Sequence, residues 1–175
     1  MYQPQAHAEV RVLRFFVKVG SFMYHIDRGA WAEINLDAVA HNVQIAKSNL
    51  DPQTKLCAVV KADAYGHGAV AVAREAEKNG ADFLAVALLQ EGLELREAGI
   101  RLPILVLGSL QPGAANVVVQ FDISHAVFDE ERLYALNEAA VKLHKKAKIH
   151  IAIDTGMHRI GVHVREAGEF AAKAA

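Results

Sequence analysis

Residues 56–68 read Leu-Cys-Ala-Val-Val-Lys-Ala-Asp-Ala-Tyr-Gly-His-Gly, an apolar run that ends in a lysine and a glycine-containing turn. The apolar part predicts a strand over Leu56–Val60, and an amphipathic segment begins after the turn. A strand of a parallel sheet that ends in Lys61 can hold the amine at the mouth of a barrel, where it can form an imine with a carbonyl group. Such a lysine is weak evidence alone, because most lysines are solvated surface charges.

A strand–helix alternation continues from this stretch to residue 175. The predicted strands are Leu56–Val60, Phe83–Val86, Ile104–Leu107, Ile123–Val127 and Ile149–Ile153. The predicted helices are Ala69–Lys78, Gln90–Ala98, Pro112–Val119, Asp129–His144 and Arg165–Ala175. Short, apolar strands between helices are typical of a parallel sheet covered by helices. Five strands fit either a doubly wound sheet or part of a (β/α)8 barrel, which needs eight strands and about 250 residues.

The residues before this alternation are less regular. Trp31–Leu36 alternates apolar and polar residues and predicts a strand, after which Asp37 is the expected cap of a helix. Residues 1–29 form an extension of unknown role. Within it, Val10–Met23 is apolar but interrupted by charges, which fits an amphipathic helix or a start-site artefact better than a signal peptide.

The composition excludes several classes of protein. The 175 residues carry 19 basic and 20 acidic side chains, so nothing favours binding to nucleic acid or to an anionic membrane. No apolar run is long enough to span a bilayer. The single cysteine, Cys57, excludes an intrachain disulfide and is expected to be a small buried core residue in a reduced, cytoplasmic compartment.

A second polar cluster, Asp-Thr-Gly-Met-His-Arg-Ile-Gly at 154–161, follows the fifth predicted strand. Barrel enzymes place their functional residues at this end of the strands. Asp154 is a candidate cap of the turn, and Arg159 is either a surface charge or a ligand of an anion. His150 and Asp154 share one face of an extended segment, but no ligand spacing supports a metal site, and none is predicted.

Each polar residue of the first turn also has two interpretations. The glycines around His67 either allow a tight turn or expose helix N–H groups to a phosphate. Tyr65 either donates its hydroxyl to such a phosphate or packs with the hydroxyl in water. His67 is expected to be a structural hydrogen-bonding residue rather than a base.

Three segments together resemble the alanine racemase family. They are Val-Val-Lys-Ala-Asp-Ala-Tyr-Gly-His-Gly at 59–68, Ile-Leu-Val-Leu-Gly at 104–108 and the cluster at 154–161, in the family's order. Ala-Glu-Ile-Asn-Leu-Asp at 32–37 is similar to the family's opening strand, so the resemblance covers about residues 30–175. It implies a pyridoxal-phosphate enzyme, a head-to-tail homodimer, with an N-terminal (β/α)8 barrel and a C-terminal β domain.

The resemblance assigns roles by position. It implies that Lys61 forms the internal aldimine with pyridoxal 5'-phosphate and is the catalytic base for one enantiomer of alanine. It also implies that Tyr65 binds the cofactor phosphate, that Arg159 binds the cofactor's phenolic oxygen and the substrate, and that Leu107 lines the pocket floor. This chain departs from the family at Ala152, where many members carry a carbamylated lysine that supports the arginine corresponding to Arg159.

The expected fold is therefore a partial TIM-type barrel of about five βα units. Residues 30–175 are expected to form the N-terminal portion of an alanine racemase. The resemblance implies that this enzyme is cytoplasmic and supplies D-alanine for peptidoglycan. The family's second base, a tyrosine, lies in a C-terminal half that this sequence does not contain, so the chain is expected to be inactive alone. A serine racemase domain, a non-catalytic pyridoxal-phosphate-binding barrel and an α/β domain without a ligand remain as alternatives.

Overall fold

The computed structural model describes residues 15–19, 22–26 and 32–175. Its strands are β1 (Phe15–Val19), β2 (Phe22–Ile26), β3 (Cys57–Val59), β4 (Phe83–Val86), β5 (Ile104–Val106), β6 (Ser124–Val127), β7 (Ile149–Ile151), β8 (Ile153–Asp154) and β9 (Val162–His163). Its helices are α1 (Leu36–Ser48), α2 (Lys61–Gly66), α3 (Ala69–Lys78), α4 (Leu89–Glu97), α5 (Ala115–Gln120), α6 (Glu130–Leu143) and α7 (Ala167–Ala174), and a 3₁₀ turn, Pro112–Ala114, precedes α5.

The order of the parallel strands decides between the two architectures. Strands β3, β4, β5, β6 and β7 form one sheet in sequential order, each hydrogen-bonded to the next. A doubly wound sheet reverses direction at a switch point, whereas a barrel adds each strand on the same side. The fold is therefore α/β and corresponds to part of a barrel, as predicted.

The sheet is curved as a barrel requires. The rings of Phe83 on β4 and His150 on β7 meet edge to face, with centroids 6.3 Å apart. In a flat sheet, strands three places apart are separated by about 14 Å. Their contact shows that these two side chains lie on the concave face, which also carries Lys55, whose ammonium group is 5.5 Å from the centre of the Phe83 ring.

The hydrophobic core lies on the other, convex face, beneath the helices. Leu84, Val86, Ile104 and Val106 of β4 and β5 are buried in one cluster with Ala69 and Ala73 of α3. A second cluster joins β6 and β7 to α5, α6 and α7, with Val127, Leu133 and Phe170 among its members. Alternation along the strands therefore assigns one side to the core and the other to the barrel interior.

The expectation for Cys57 was wrong. Cys57 is exposed, and Val59 on the same face is 42% exposed. Both alternate with Ala58, which packs against the core. They occupy the concave face of β3, an outer strand of the described sheet, and that face is less covered there than on the neighbouring strand β4, where Ala85 is 2% exposed. Partial burial nevertheless raises the pKa of the Cys57 thiol.

The N-terminal predictions need correction. Residues 32–34 are irregular and Asn35 makes a single bridge, so the strand predicted over Trp31–Leu36 does not form in its described part, and Trp31 lies outside the described residues. Asn35, not Asp37, caps α1, because its side chain accepts the N–H of Ala38 at 3.0 Å.

Of the two interpretations of Val10–Met23, the amphipathic helix is wrong where the structure describes that segment. Strands β1 and β2 pair there as an antiparallel hairpin, and the rest of that prediction lies outside the described residues. Further along the chain, the predicted last strand divides at Ala152 into β7 and β8.

Candidate functional site

Lys61 stands where the sequence places it, at the carboxyl end of β3. It comes two residues after Val59, the last residue of the strand, and it is partly buried. Its Nζ atom lies 6.0 Å from the centre of the Tyr65 ring. Within residues 32–175 its ammonium group forms no ion pair, so no carboxylate competes with a ligand for it.

The turn after Lys61 is left-handed. Ala62, Asp63, Ala64 and Tyr65 have φ between 51° and 54°, although none of them is glycine. Left-handed helical geometry costs L-residues about 1–2 kcal/mol each. The turn therefore depends on its contacts, including a hydrogen bond from the Ala64 N–H to the Val60 carbonyl oxygen at 2.9 Å and the burial of Ala64.

The N-terminus of α3 is already paired with a carboxylate of the chain itself, that of Asp63. The Asp63 Oδ1 atom accepts the Ala69 N–H at 2.6 Å. This carboxylate satisfies one of the free N–H groups of the helix, and its charge disfavours a phosphate at the same place. His67 places Nδ1 2.9 Å from the Ala64 carbonyl oxygen, which supports its structural interpretation. Tyr65 is 61% exposed, so its hydroxyl is accessible to a ligand.

Leu107 continues the concave face at the carboxyl end of β5. It is partly buried, and its N–H donates to the Val86 carbonyl oxygen at 2.8 Å. Gly108 then comes so close to β4 that a Cβ atom there would lie 2.3 Å from the Ala87 carbonyl oxygen. The glycine therefore lets the ends of β4 and β5 approach beside Leu107.

The 154–161 cluster forms a turn between β8 and β9. Asp154 Oδ1 accepts the N–H groups of Gly156 at 2.9 Å and His158 at 3.0 Å, and these bonds hold the pKa of Asp154 below its ordinary value. Gly161 closes the turn at φ 128°, where a Cβ atom would lie 2.5 Å from the Asp154 nitrogen. Asp154 thus caps the turn, as the sequence indicates.

Arg159 is presented on this turn without a fixed partner. Its side chain is exposed, and among the residues that the structure describes it forms no hydrogen bond or ion pair. Ala152, at the position where many family members carry lysine, is held between strands: its N–H donates to Val127 and its carbonyl oxygen accepts from Val162, both at 2.9 Å.

The structure brings some predicted residues together and leaves others apart. The Lys61 ammonium group lies over the Tyr65 ring, and Leu107 lies on the concave face at the same end of the sheet. Within the described part of the chain, Arg159 forms no hydrogen bond, ion pair or ring contact with Lys61 or Tyr65. In that part, no group of three or more His, Cys, Asp or Glu residues is arranged to hold a metal ion.

Glu91 is a site residue that the sequence interpretation missed. Its Oε1 atom accepts the Ala62 N–H at 2.6 Å, beside Lys61, and its Oε2 atom accepts the N–H groups of Ala87 and Leu88 at 2.7 and 2.9 Å. The available signal was a glutamate in the first turn of a predicted helix, where it commonly accepts the N–H of the capping residue.

The donor set fits pyridoxal phosphate. A partly buried amine without a carboxylate partner suits an aldehyde, and the exposed Tyr65 hydroxyl and Arg159 guanidinium suit phosphate and phenolic oxygens. The apolar concave face beside the amine, with Val59, Ala85 and Leu107, suits an aromatic ring.

Among the residues that the structure describes, no helix has the length and apolarity needed to cross a membrane.

Comparison with known proteins identifies the relatives of this arrangement. Residues 34–175 match the family described as "Alanine racemase, N-terminal domain". The alanine racemase of Desulfovibrio desulfuricans is 49% identical over 148 residues, which are 85% of this chain and 40% of that protein. Alanine racemase 2 of Oceanobacillus iheyensis is 48% identical over 147 residues, covering 84% of this chain and 38% of the relative.

Solved structures agree. An alanine racemase of Clostridium difficile 630 superposes with a TM-score of 0.73 at 46% identity, covering 79% of this chain and 36% of that one. A complex of the Clostridium difficile enzyme with cycloserine gives a TM-score of 0.75 at 42% identity, covering 81% and 39%. The chain thus spans at most about 40% of the length of these relatives.

Proposed function

Because the chain belongs to the alanine racemase family, we propose that residues 30–175 form the N-terminal, cofactor-binding portion of a pyridoxal-phosphate-dependent alanine racemase. The observation that carries the proposal is the position of Lys61. It directly follows the first strand of a sequentially ordered parallel sheet, at the carboxyl end of that strand and beside Tyr65. Residues 1–29 are an extension to this portion.

Four residues are proposed to receive the cofactor. Lys61 binds its aldehyde carbon, the Tyr65 hydroxyl donates to its phosphate, and Arg159 donates to its phenolic oxygen. Leu107 forms the apolar floor. When bound, the ring supplies an acceptor for the negative charge that develops when a substrate's α-proton leaves.

Lys61 has a second role, in proton transfer. In its neutral form its amine takes a proton from one face of the substrate's α-carbon, and in its charged form it returns one to that face. Racemisation needs a second group on the opposite face. The resemblance assigns that group to a tyrosine in the part of the relatives that has no counterpart in these 175 residues. We therefore expect these residues alone not to racemise alanine.

The substrate, the cellular location and the assembly are proposed by analogy with the family. The proposed substrate is alanine, the product supplies D-alanine for peptidoglycan, the location is the cytoplasm, and the assembly is a homodimer. The relatives compared above are all named alanine racemases, which favours alanine over serine. Ala152 is the observation that keeps a serine racemase domain as the second candidate, because some such domains also lack lysine there.

The first test is borohydride reduction of the 175-residue chain after incubation with pyridoxal phosphate, followed by peptide mass spectrometry. We expect label at Lys61 in preference to the other lysines and none at that position in Lys61→Arg. Tyr65→Phe, which keeps the ring beside the amine, should weaken cofactor affinity and leave the position of labelling unchanged. Label scattered over surface lysines contradicts the proposal.

A second measurement separates an acid–base lysine from a merely cofactor-holding one. The loaded chain is incubated with L- or D-alanine in D2O, and deuterium at the α-carbon is measured by NMR. We expect exchange of one enantiomer without racemisation, because one of the two acid–base groups is present. Specific labelling of Lys61 without any exchange supports a non-catalytic pyridoxal-phosphate-binding barrel instead.

A further inference from the structure

The backbone on both sides of Lys61 is anchored, but by different means. Before it, the Val60 N–H donates to the Ala85 carbonyl oxygen at 2.9 Å, as in an ordinary parallel ladder. After it, the next ladder donor is the N–H of Ala62, two residues on. That N–H donates to the Glu91 carboxylate instead, at 2.6 Å.

A side chain is needed there because the usual acceptor is occupied. The ladder would pair Ala62 with the Ala87 carbonyl oxygen, two residues beyond Ala85. The Ala87 oxygen instead accepts the Gly108 N–H at 3.1 Å, from the strand on the other side. The Glu91 carboxylate supplies the missing acceptor for the Ala62 N–H. It thereby links the chain after β3 to the chain after β4, one hydrogen bond beyond the last backbone bond between these two strands.

Capping of α4 does not explain this contact. A glutamate in the first helical turn accepts the N–H of the capping residue, and the Glu91 Oε2 atom does so with Leu88. The Oε1 atom is directed to a residue 29 positions earlier in the chain, in the turn that begins at Lys61. One carboxylate therefore joins the ends of two neighbouring strands.

We propose that Glu91 is the positioning residue for Lys61: its carboxylate fixes the left-handed turn through the Ala62 N–H and so fixes where the Lys61 amine stands at the carboxyl end of β3. The consequence for chemistry rests on the proposed function, whereas the anchoring itself does not. The left-handed backbone of Ala62 to Tyr65 has no other side-chain hydrogen bond from a distant segment within the described residues.

The variant Glu91→Gln tests this inference. Glutamine keeps the length but has one acceptor oxygen, so it cannot serve both strand ends. Glu94→Gln is the matched control, because Glu94 is an exposed glutamate on the same helix and loses the same charge. Both variants are checked by circular dichroism and compared at a temperature where they are folded.

The first readout is amide hydrogen exchange of Ala62, measured by NMR without any cofactor. We expect exchange in Glu91→Gln to be faster by about fivefold or more, the change expected on losing one hydrogen bond, and to be unchanged in Glu94→Gln. The second readout is the share of borohydride-trapped pyridoxal phosphate found at Lys61 relative to the other lysines of the same sample. We expect that share to fall by a similar factor in Glu91→Gln alone.

The two readouts separate the inference from the proposed function. Wild-type exchange rates and wild-type Lys61 labelling in folded Glu91→Gln overturn the inference and leave the proposed function standing. Faster exchange with undiminished labelling also overturns it, because the turn then does not position the amine. If the wild-type chain shows no preference for Lys61, the proposed function fails, and the exchange rate of Ala62 alone decides whether Glu91 anchors the turn.

Discussion

Replacing Gly108 with alanine should separate the ends of β4 and β5 next to Leu107. The added Cβ atom would lie 2.3 Å from the Ala87 carbonyl oxygen, so the two strand ends must move apart by about 1.1 Å to reach an ordinary contact. Overpacking of this kind costs about 1–3 kcal/mol. The movement also weakens the hydrogen bond from Gly108 to Ala87, which contributes about 0.5–1.5 kcal/mol. We expect the free energy of unfolding to fall by about 2–4 kcal/mol.

The control is a glycine whose replacement meets nothing. Gly168 lies in α7, and a Cβ atom there has no neighbour within 4 Å. Alanine favours a helix over glycine by about 0.5–1 kcal/mol, so Gly168→Ala should stabilise the chain slightly. Urea denaturation followed by circular dichroism at low protein concentration measures both variants. If Gly108→Ala is as stable as the wild type, or if both variants shift the midpoint in the same direction, the close approach of the strand ends does not explain the glycine.

Three further predictions concern charge and exposed edges. The Lys47 ammonium and the Leu56 N–H lower the pKa of the Asp82 carboxyl, so the stabilisation that the carboxylate gives is complete above about pH 4 and is lost as the pH falls through the lower pKa of the folded state. Asp82→Asn should therefore melt at a lower temperature than the wild type at pH 7, and the difference should shrink as the pH is lowered below about 4. Burial lowers the pKa of the His125 imidazole, so the wild type loses stability as the pH falls below about 6.5. His125→Asn removes this titration, so the difference in melting temperature between the wild type and this variant should become smaller from pH 7.5 to pH 5.5. The outer strands β3 and β7 and the exposed Val59 lead us to expect self-association of the 175-residue chain; sedimentation as a monomer at high concentration with cooperative melting contradicts this.

The sequence predicts the elements of this fold better than their arrangement. Helix α3 and strand β4 have the predicted bounds, Ala69–Lys78 and Phe83–Val86, because local signals delimit them. Asn79-Gly80 ends the helix, where Gly80 has φ 101°. The sequential strand order is not visible in such signals. It depends on which faces the helices cover, and five apolar strands satisfy either architecture; only the family resemblance favoured the barrel.

The missed features share a physical cause, which is dependence on distant contacts. The left-handed turn from Ala62 to Tyr65 contains no glycine, and local preference alone predicts a different backbone. Its anchor, Glu91, looks like any glutamate of an amphipathic helix until β3 and β4 are paired. Cys57 was assigned to the core because its neighbours are apolar, although the apolar residues of a barrel strand face two different environments.

These contacts explain why the turns at the carboxyl end of the sheet are held by carboxylates. Beyond the strand ends the backbone ladder stops, and N–H groups of several turns need acceptors. Asp63, Glu91 and Asp154 supply them, and Glu91 and Asp154 each accept more than one N–H. The two oxygens of the Glu91 carboxylate join the ends of two strands, which a side-chain amide with a single acceptor oxygen cannot do. Glu91→Gln should therefore disturb the placement of Lys61 more than it disturbs the core, which lies on the convex face of the sheet.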